Sequence, residues 1–484
     1  MKLTIRALAP LILLTSLWAG TRQPGHPVPH FAGPTVPQSV APGGPDFTLT
    51  VYGANFIPGS TVNWDGQPRA TTCISSHELQ AQILASDIAV PTAGMITVTT
   101  TSPNGPITSS TYFQVEVHEP RTTMGSTQQY IYPAFLGFLG GLADLTNDGS
   151  LDIVGVMGGS NFSDVVGSLM NTGTGQFYRG APLTNRDYPY SGQVGFGDFN
   201  DDGNVDFVYV VGESRQITPV HLGVSFGDGQ GHFTLGQSFG SFGGSAPVIP
   251  QIVLGDFNQD GALDVATIQA GQDAYIFLGN GNGTFASPTA AYVGRGGPLF
   301  VGDFNGDGKL DLLLAGKPIQ GLTWEFKIAF GNGDGTFQSP KTVGVFPSAN
   351  YFSPYYFVND FNKDGKLDIA FANPLGQIGI MLGNGDGTFQ PAVYYTVGDQ
   401  TYFTFALGDF NSDGNTDIIV QQNTLSNMSF SILLGNGDGT FQSPQVLLPT
   451  GLFPGAEFSV ADFNRDGLLD IGVPQYDYYV FLQQ

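Results

Sequence analysis

The 484-residue sequence predicts an all-β protein, a β-sandwich followed by a seven-bladed β-propeller. The first observation is a nine-residue segment rich in Asp and Gly that recurs seven times from Asp144 onward, about 53 residues apart. A period of this size is typical of propeller blades. The second is a Gly-rich segment between successive copies, which indicates a tight hairpin. The third is a series of short runs before residue 118 in which apolar and polar residues alternate, as in strands.

The recurring segment has the residue types of a loop that binds a hard cation. In the copy from Asp303 to Asp311, Asp stands at positions 1, 5 and 9, Asn at position 3 and Gly at position 6. Calcium takes closely spaced side-chain oxygens together with a backbone carbonyl, here that of position 7, and the Gly allows a sharp turn. Position 12 is Leu314 rather than the Glu of an EF-hand, and the flanks are apolar, so we expect each loop to join two strands.

The seven copies predict up to seven Ca²⁺ ions. The predicted ligands, at positions 1, 3, 5, 7 and 9 of each copy, are Asp144, Thr146, Asp148, Ser150, Asp152, Asp198, Asn200, Asp202, Asn204, Asp206, Asp256, Asn258, Asp260, Ala262, Asp264, Asp303, Asn305, Asp307, Lys309, Asp311, Asp360, Asn362, Asp364, Lys366, Asp368, Asp409, Asn411, Asp413, Asn415, Asp417, Asp462, Asn464, Asp466, Leu468 and Asp470. The alternative is a plain turn, because Asp and Asn also bond their own backbone. Three crowded carboxylates in every copy favour calcium, because a divalent ion relieves their repulsion.

The loops also account for most of the net charge of −24, since each of the seven copies carries Asp at positions 1, 5 and 9. Lys and Arg together number only 16. Because nucleic-acid binding needs basic patches, the composition excludes nucleic acid as an expected partner. The single cysteine, Cys73, allows no internal disulfide, and its surroundings indicate a packed thiol rather than a nucleophile.

The start of the chain predicts export. Residues 1–19 contain Lys2 and Arg6 followed by the apolar run 8–19, the pattern of a secretory signal peptide. Residues 20–32 are rich in Pro, Gly and His without periodicity and are expected to form a linker. No later segment approaches 18 uninterrupted apolar residues, so we expect no transmembrane segment in the mature chain and a secreted or cell-surface location.

Residues 33–118 resemble the IPT/TIG family of immunoglobulin-like modules. The resemblance rests on the segment Phe47–Val62, on Trp64-Asp-Gly66 and on Phe113-Gln-Val115. It implies an immunoglobulin-like β-sandwich that acts as a spacer or adhesion module, with no active residues.

Residues 121–484 resemble the FG-GAP/VCBS repeat family, which includes the integrin α-subunit head. The resemblance rests on the seven loops and on the hairpin segments such as 278–285 and 330–337. It implies a calcium-binding propeller with one loop and one hairpin per blade. The seventh blade lacks a fourth strand in sequence order, and residues 122–133 are expected to supply it, which closes the ring without an unpaired edge.

The sequence shows no catalytic constellation, so we expect a protein that is not an enzyme. The segment Gly223-Val-Ser-Phe-Gly227 matches the nucleophile-elbow pattern around Ser225, but no strand-turn-helix context accompanies it. Two alternatives stay open: a secreted polysaccharide hydrolase or lyase with its site in the propeller funnel, and a surface scaffold without catalysis.

The expected function is adhesion or recognition by a monomer, with a carbohydrate or a cell-surface protein as the partner. The connections between blades lie opposite the calcium loops and are aromatic, and rings with polar tips suit such recognition. The candidate ligand-face residues are Asp187, Tyr188, Tyr190, Tyr351, Tyr355, Tyr402 and Tyr476. The alternative for each ring is that it packs between blades as part of the core.

Overall fold

The computed structural model contains strands and turns throughout the part of the chain it describes. The described residues are 27–31, 35–102, 105–109, 113–122, 124, 127–132, 139–157, 165–180, 188–212, 220–242, 251–268, 273–291, 299–316, 323–347, 355–398, 403–423, 428–449, 458–474 and 478–484. The predicted signal peptide lies outside them. No helix in these ranges is long and apolar enough to cross a membrane.

Ten strands form two sheets at the start of the described chain. They are β1 (His30–Phe31), β2 (Ser39–Val40), β3 (Phe47–Ala54), β4 (Thr61–Trp64), β5 (Gln67–Pro68), β6 (Thr71–Ser75), β7 (Glu78–Ile83), β8 (Thr92–Ser102), β9 (Gly105–Thr108) and β10 (Phe113–Val117). One sheet has the order β1-β3-β7-β6, and the other has the order β2-β10-β8-β4-β5 with β9 paired to β8.

The two sheets share one apolar core. Leu49 and Leu79 of the first sheet and Trp64 and Val115 of the second lie in a single buried cluster, each at most 2% exposed. Alternate residues of these strands point inward, which is the period-two pattern of a half-buried strand. Cys73 is partly buried against this cluster. We call residues 27–118 the N-terminal module.

The predicted linker is wrong for residues 27–31. Val28 is 3% exposed and His30 is 7% exposed, and β1 pairs antiparallel with β3 through His30 and Ala54. Pro and Gly suggested a solvated segment, but Phe31 is buried in the core shared by the two sheets, and its strand therefore belongs to the module. Val28 is buried in a second apolar cluster, formed mainly by residues 199–277.

In the described part of residues 127–484, twenty-nine further strands form seven sheets. They are β11 (Thr127–Tyr132), β12 (Leu139–Ala143), β13 (Asp152–Met157), β14 (Val165–Asn171), β15 (Phe177–Arg179), β16 (Tyr188–Gly197), β17 (Asp206–Gly212), β18 (Val220–Gly227), β19 (Phe233–Leu235), β20 (Phe239–Phe242), β21 (Gln251–Gly255), β22 (Asp264–Ile268), β23 (Ala274–Phe277), β24 (Thr289–Ala291), β25 (Leu299–Gly302), β26 (Asp311–Gly316), β27 (Thr323–Ala329), β28 (Lys341–Pro347), β29 (Tyr356–Asn359), β30 (Asp368–Asn373), β31 (Gln377–Met381), β32 (Val393–Thr396), β33 (Phe403–Gly408), β34 (Asp417–Asn423), β35 (Met428–Leu433), β36 (Gln445–Pro449), β37 (Ser459–Ala461), β38 (Asp470–Pro474) and β39 (Tyr478–Gln483).

Six of these sheets follow chain order. They are β12-β13-β14-β15, β16-β17-β18-β19 with β20 also on β18, β21 to β24, β25 to β28, β29 to β32 and β33 to β36, and all neighbours are antiparallel. The seventh sheet has the order β11-β39-β38-β37. Thr127 pairs with Gln483 and Tyr132 with Tyr478, so a strand that precedes the first sheet forms the outer strand of the last.

The second strand of each sheet is the most buried. All six residues of β26 and all six of β30 are buried, because these strands face a neighbouring sheet on both sides. Aromatic side chains fill the space between sheets. Phe326 and Phe371, from the fourth and fifth sheets, meet edge to face with ring centroids 5.4 Å apart.

Backbone hydrogen bonds join each sheet to the next. In six sheets a Gly N–H of the hairpin donates to the carbonyl of loop position 2 in the preceding sheet, at 2.8–3.1 Å. These pairs are Gly175–Phe463, Gly231–Leu145, Gly283–Phe199, Gly335–Phe257, Gly387–Phe304 and Gly439–Phe361. In the seventh sheet the side chain of Gln483 donates to Phe410 instead, at 3.2 Å. The first pair links the first sheet to the seventh.

Candidate metal-binding loops

The seven Asp-rich loops have one backbone conformation, and each joins the first strand of a sheet to the second. Position 4 has a positive φ in every loop, although six of these residues are not glycine. The seven residues at position 4 are Asn147, Asp201, Gln259, Gly306, Lys363, Ser412 and Arg465. The Gly at position 6 has a φ between +78° and +87° in every copy, a region that other residues rarely enter. The sequence repeat is therefore a structural repeat.

The first and fifth positions of each loop face its own backbone. The position 1 carboxylate accepts the N–H of the position 6 Gly at 2.7–2.8 Å in all seven loops. The position 5 carboxylate accepts the N–H of position 7 at 2.8–3.1 Å. These bonds wrap the chain around its acidic side chains, as in Asp and Asn turns.

Position 9 has a role that the sequence analysis missed. Its carboxylate is 0% exposed in all seven loops, and both of its oxygens accept backbone N–H groups. In the fourth sheet, Asp311 accepts from Phe304 at 3.0 Å and from Gly331 at 2.9 Å. Position 9 thus ties the loop to the end of the third strand of its own sheet, and the same two bonds occur in every copy.

Burial and mutual repulsion act on these carboxyls. Burial raises the pKa of Asp311 to about 7, backbone N–H groups oppose the rise, and Asp303 and Asp307 add to it. The pKa of position 9 is also raised to about 7 for Asp152, Asp206 and Asp368, with burial as the first cause. Each loop therefore concentrates carboxyl groups that repel one another when ionised, and cations of the chain offset part of this charge, as Lys366 does beside Asp364 at 3.2 Å.

The side-chain oxygens are close in sequence but are turned toward the backbone. In the described ranges, no three His, Cys, Asp or Glu side chains converge as a preformed metal site. The chemistry of the donors fits calcium, since each loop offers three carboxylates, a side-chain amide or hydroxyl and a backbone carbonyl, all of them hard oxygen ligands.

The N-terminal module lies against this loop face. The backbone N–H of Val28 donates to Asp256 at 2.9 Å, and the His77 ring is paired with the carboxylate of Asp303. The Gln114 side chain accepts the N–H of Asp462 at 3.2 Å. Together with Asp409, which is hydrogen-bonded to Ser39, four predicted ligand residues at position 1 thus contact the module, in the third, fourth, sixth and seventh loops. Sequence reasoning missed this contact, because nothing local to His77 or Gln114 signals it.

Most of the candidate ligand-face residues lie outside the described ranges, namely Asp187, Tyr351, Tyr402 and Tyr476. Tyr188 and Tyr190 lie in β16. Tyr355 is half-buried and packs against an apolar cluster that includes Phe361 and Phe405. This ring therefore packs against the core, which was the alternative to ligand contact. The structure does not bring the seven candidates together as one site within the part it describes.

A family model described as FG-GAP-like repeat matches residues 198–267, 256–314, 360–420 and 423–473. The human T-cell immunomodulatory protein is 24% identical over 229 residues, which cover 46% of this chain and 37% of that protein. The chain thus aligns with little more than a third of that relative's length.

Solved structures also resemble the fold. An Agrocybe aegerita lectin that recognises non-reducing terminal N-acetylglucosamine is 18% identical with a TM-score of 0.49, covering 86% of this chain and 100% of the lectin. A Bacillus licheniformis rhamnogalacturonan lyase is 11% identical with a TM-score of 0.43, covering 94% of this chain and 91% of the lyase. These similarities assign no ligand. The family model identifies FG-GAP-like repeats in the four matched segments, and the closed series of antiparallel sheets has the topology of a β-propeller.

Proposed function

We propose that this protein is an exported, calcium-stabilised recognition or adhesion protein. The seven sheets are the blades of one propeller, and the N-terminal module is an immunoglobulin-like sandwich of the IPT/TIG type. Up to seven Ca²⁺ ions bind in the loops, and the opposite face of the propeller binds a carbohydrate or a cell-surface protein.

The observation that carries the calcium proposal is the sevenfold repetition of one loop conformation around three Asp. Positions 1, 3, 5 and 9 supply side-chain oxygens and position 7 supplies its carbonyl. The ion supplies positive charge beside the clustered carboxylates. The chain itself supplies the shape: the Gly at position 6 turns the backbone, and position 9 holds the loop against the third strand. Calcium binding then stabilises each blade at the point where its strands meet.

The placement of the N-terminal module supports recognition on the opposite face. Because the module covers part of the loop face, through contacts such as that of His77 with Asp303, a large partner has less access there. The connections between blades carry Asp187, Tyr188, Tyr190, Tyr351, Tyr402 and Tyr476, aromatic and polar residues of the kind that bind sugars and proteins.

Binding is favoured over catalysis. Ser225 lies in β18, between its antiparallel partners Phe207 and Leu235, and is 0% exposed. A nucleophilic serine needs an exposed hydroxyl on a sharp turn before a helix. The buried position of Ser225 therefore argues against the nucleophile-elbow interpretation.

Metal analysis and thermal unfolding test the calcium proposal. At a free calcium concentration 100 times the dissociation constant, each independent site adds about 2.7 kcal/mol to the free energy of unfolding. We expect about one Ca²⁺ per intact loop and a large fall in melting temperature after removal of metal. Replacing Asp360 and Asp364 with Asn removes one site, whereas Asp386→Asn in the hairpin of the same blade is the matched control. A melting temperature that does not respond to metal contradicts the proposal.

A glycan array combined with a reducing-sugar assay tests the binding face. Retention of a glycan without release of product supports recognition, and product release identifies a hydrolase or lyase instead. Tyr190→Ala and Tyr351→Ala are expected to weaken retention, while Tyr178→Ala, at a ring that is 56% exposed in β15, is the control. Equal retention of the glycan by all three variants would exclude this face as the binding site.

A further inference from the structure

A cavity of 750 Å³ lies inside the ring of sheets. This volume is in the range of about 300–1,000 Å³ that small-molecule sites occupy. All seven sheets contribute a partly exposed apolar side chain from the first strand to its wall. These side chains are Leu142, Phe196, Leu254, Phe300, Phe357, Leu407 and Val460. The wall can therefore bury an apolar body of substantial size.

The N-terminal module closes one end of this cavity with polar side chains. Most of the polar groups there have hydrogen-bond partners: Gln38 and Asn359 both donate to the hydroxyl of Thr416, at 2.6 and 3.0 Å. At this end of the cavity, two buried atoms have no hydrogen-bond partner among the described residues: Oε2 of Glu116 and Nδ1 of His30. Glu116 is only 3% exposed and His30 only 7%.

Burial, and after it the carboxyls of Asp409, Asp462 and Asp417, raises the pKa of Glu116 well above its ordinary value. A positively charged group beside Oε2 would favour the ionised form of Glu116, in which this oxygen is an acceptor. Burial lowers the pKa of His30 to about 4, so its imidazole is neutral, and its other nitrogen donates to the backbone carbonyl of Val301, which leaves Nδ1 as an acceptor. A buried acceptor without a donor costs about 1–3 kcal/mol. The cavity end is therefore complementary to a group that brings N–H donors.

The charge of the surroundings selects among such groups. The carboxylate of Asp409 also lines the cavity, and Asp462 and Asp417 act electrostatically on Glu116. An anionic head group would be repelled at this end, and a cation would be attracted. An ammonium group combines positive charge with several N–H donors.

We propose that this cavity binds an amphiphile that carries a protonated primary amine on an apolar chain or ring. The amine lies at the end formed by the N-terminal module and donates to Glu116 or His30, and the apolar body packs against the first strands of the sheets. The site is separate from the ligand face, and its existence does not depend on carbohydrate binding.

Isothermal titration of the full chain in calcium-containing buffer tests this site, with decylamine as the probe. We expect saturable binding of one decylamine per chain. Decanoate and decyltrimethylammonium are the matched comparisons, because the first reverses the charge and the second removes the N–H donors. Both are expected to bind at least about tenfold more weakly, since a hydrogen bond to a charged group contributes about 1.5–3 kcal/mol. Absence of saturable decylamine binding, or equal affinity for the three probes, overturns the proposal.

Two variants locate the site. Glu116→Gln is expected to weaken decylamine binding about tenfold, whereas Glu119→Gln, at an exposed carboxylate near the same strand, leaves it unchanged. Leu254→Trp fills part of the cavity and is expected to abolish binding of all three probes. Equal affinities for the two Gln variants, or unchanged binding by the Trp variant, contradict the assignment. If a variant fails to fold, the affinities of the three probes for the unaltered chain still test the proposal.

Discussion

The raised pKa values of the loop carboxyls predict an unusual dependence of stability on pH for the protein without bound metal. In the folded chain the pKa values of Asp152, Asp206, Asp311 and Asp368 are about 7, against 3.8 for a solvated Asp. Between pH 8 and pH 6 the folded state therefore takes up protons that the unfolded state does not bind. Because protons favour the state that binds them, the metal-free protein becomes more stable as the pH falls through 7.

The size of the effect follows from the two pKa values. For one carboxyl with a folded pKa near 7, lowering the pH from 8 to 6 adds about 1.4 kcal/mol to the free energy of unfolding. The four carboxyls are in different loops, so together they contribute on the order of 5 kcal/mol. His30 acts in the opposite direction with about 1 kcal/mol, because its pKa is lowered to about 4 and its protonation favours unfolding.

Bound calcium is expected to remove this dependence, because the ion keeps the carboxylates ionised and competes with protons. The assay is thermal unfolding at pH 8 and pH 6 of protein freed of metal, compared with calcium-loaded protein. Asp311→Asn should reduce the gain on acidification by about 1 kcal/mol, whereas Asp334→Asn, at an exposed hairpin carboxylate of the same sheet, should leave it unchanged. A metal-free protein that is equally stable or less stable at pH 6 would refute the reasoning.

Two further predictions concern the contacts between neighbouring sheets and the contact of the N-terminal module with the fourth loop. Gly387→Ala should lower the free energy of unfolding by about 1–3 kcal/mol, because φ is +79° and the added Cβ would meet the Phe330 ring at 2.3 Å. Gly203→Ala, with φ +87° and no atom within 4 Å of the added Cβ, is the control with the same backbone strain but no clash. If chemical denaturation gives the same loss of unfolding free energy for both variants, the contact with Phe330 does not explain the effect. His77→Ala should loosen the N-terminal module and speed proteolysis near residues 119–126, because the pairing with Asp303 is lost. His232→Ala, at an exposed His–Asp pair, should not change the proteolysis rate, and an equal rate for both variants would exclude the His77 contact as a tether.

Local sequence patterns predicted much of the fold. Alternation from Phe47 onward predicted β3, and the Asp-Gly loops marked the boundary between the first and second strands of the repeats. These features are readable because each depends on neighbouring residues: a strand alternates with period two, and a tight turn needs Gly or Asn at defined positions. The additional short strands, such as β6 and β20, lack a strong pattern and were not predicted.

The features that escaped prediction depend on contacts distant in sequence. Position 9 of a loop is a plausible ligand by spacing, but its bridge from Phe304 to Gly331 exists only once the third strand has returned to the loop. The contact of His77 with Asp303 joins the N-terminal module to the fourth loop, 226 residues further along the chain. The cavity next to Glu116 likewise forms only when the module covers one end of the ring. No single segment encodes these arrangements.

The pairing of β11 with β39 has a consequence for biosynthesis. The other six sheets each form from a short continuous stretch of chain and can fold soon after they are made. The last sheet needs Thr127 beside Gln483, so β11 must wait with an unpaired edge until all the intervening repeats have appeared. During that interval the exposed edge can pair with another copy of the chain. A substitution that slows any intermediate blade is thus expected to reduce yield through aggregation of nascent chains, even where the finished protein is hardly destabilised.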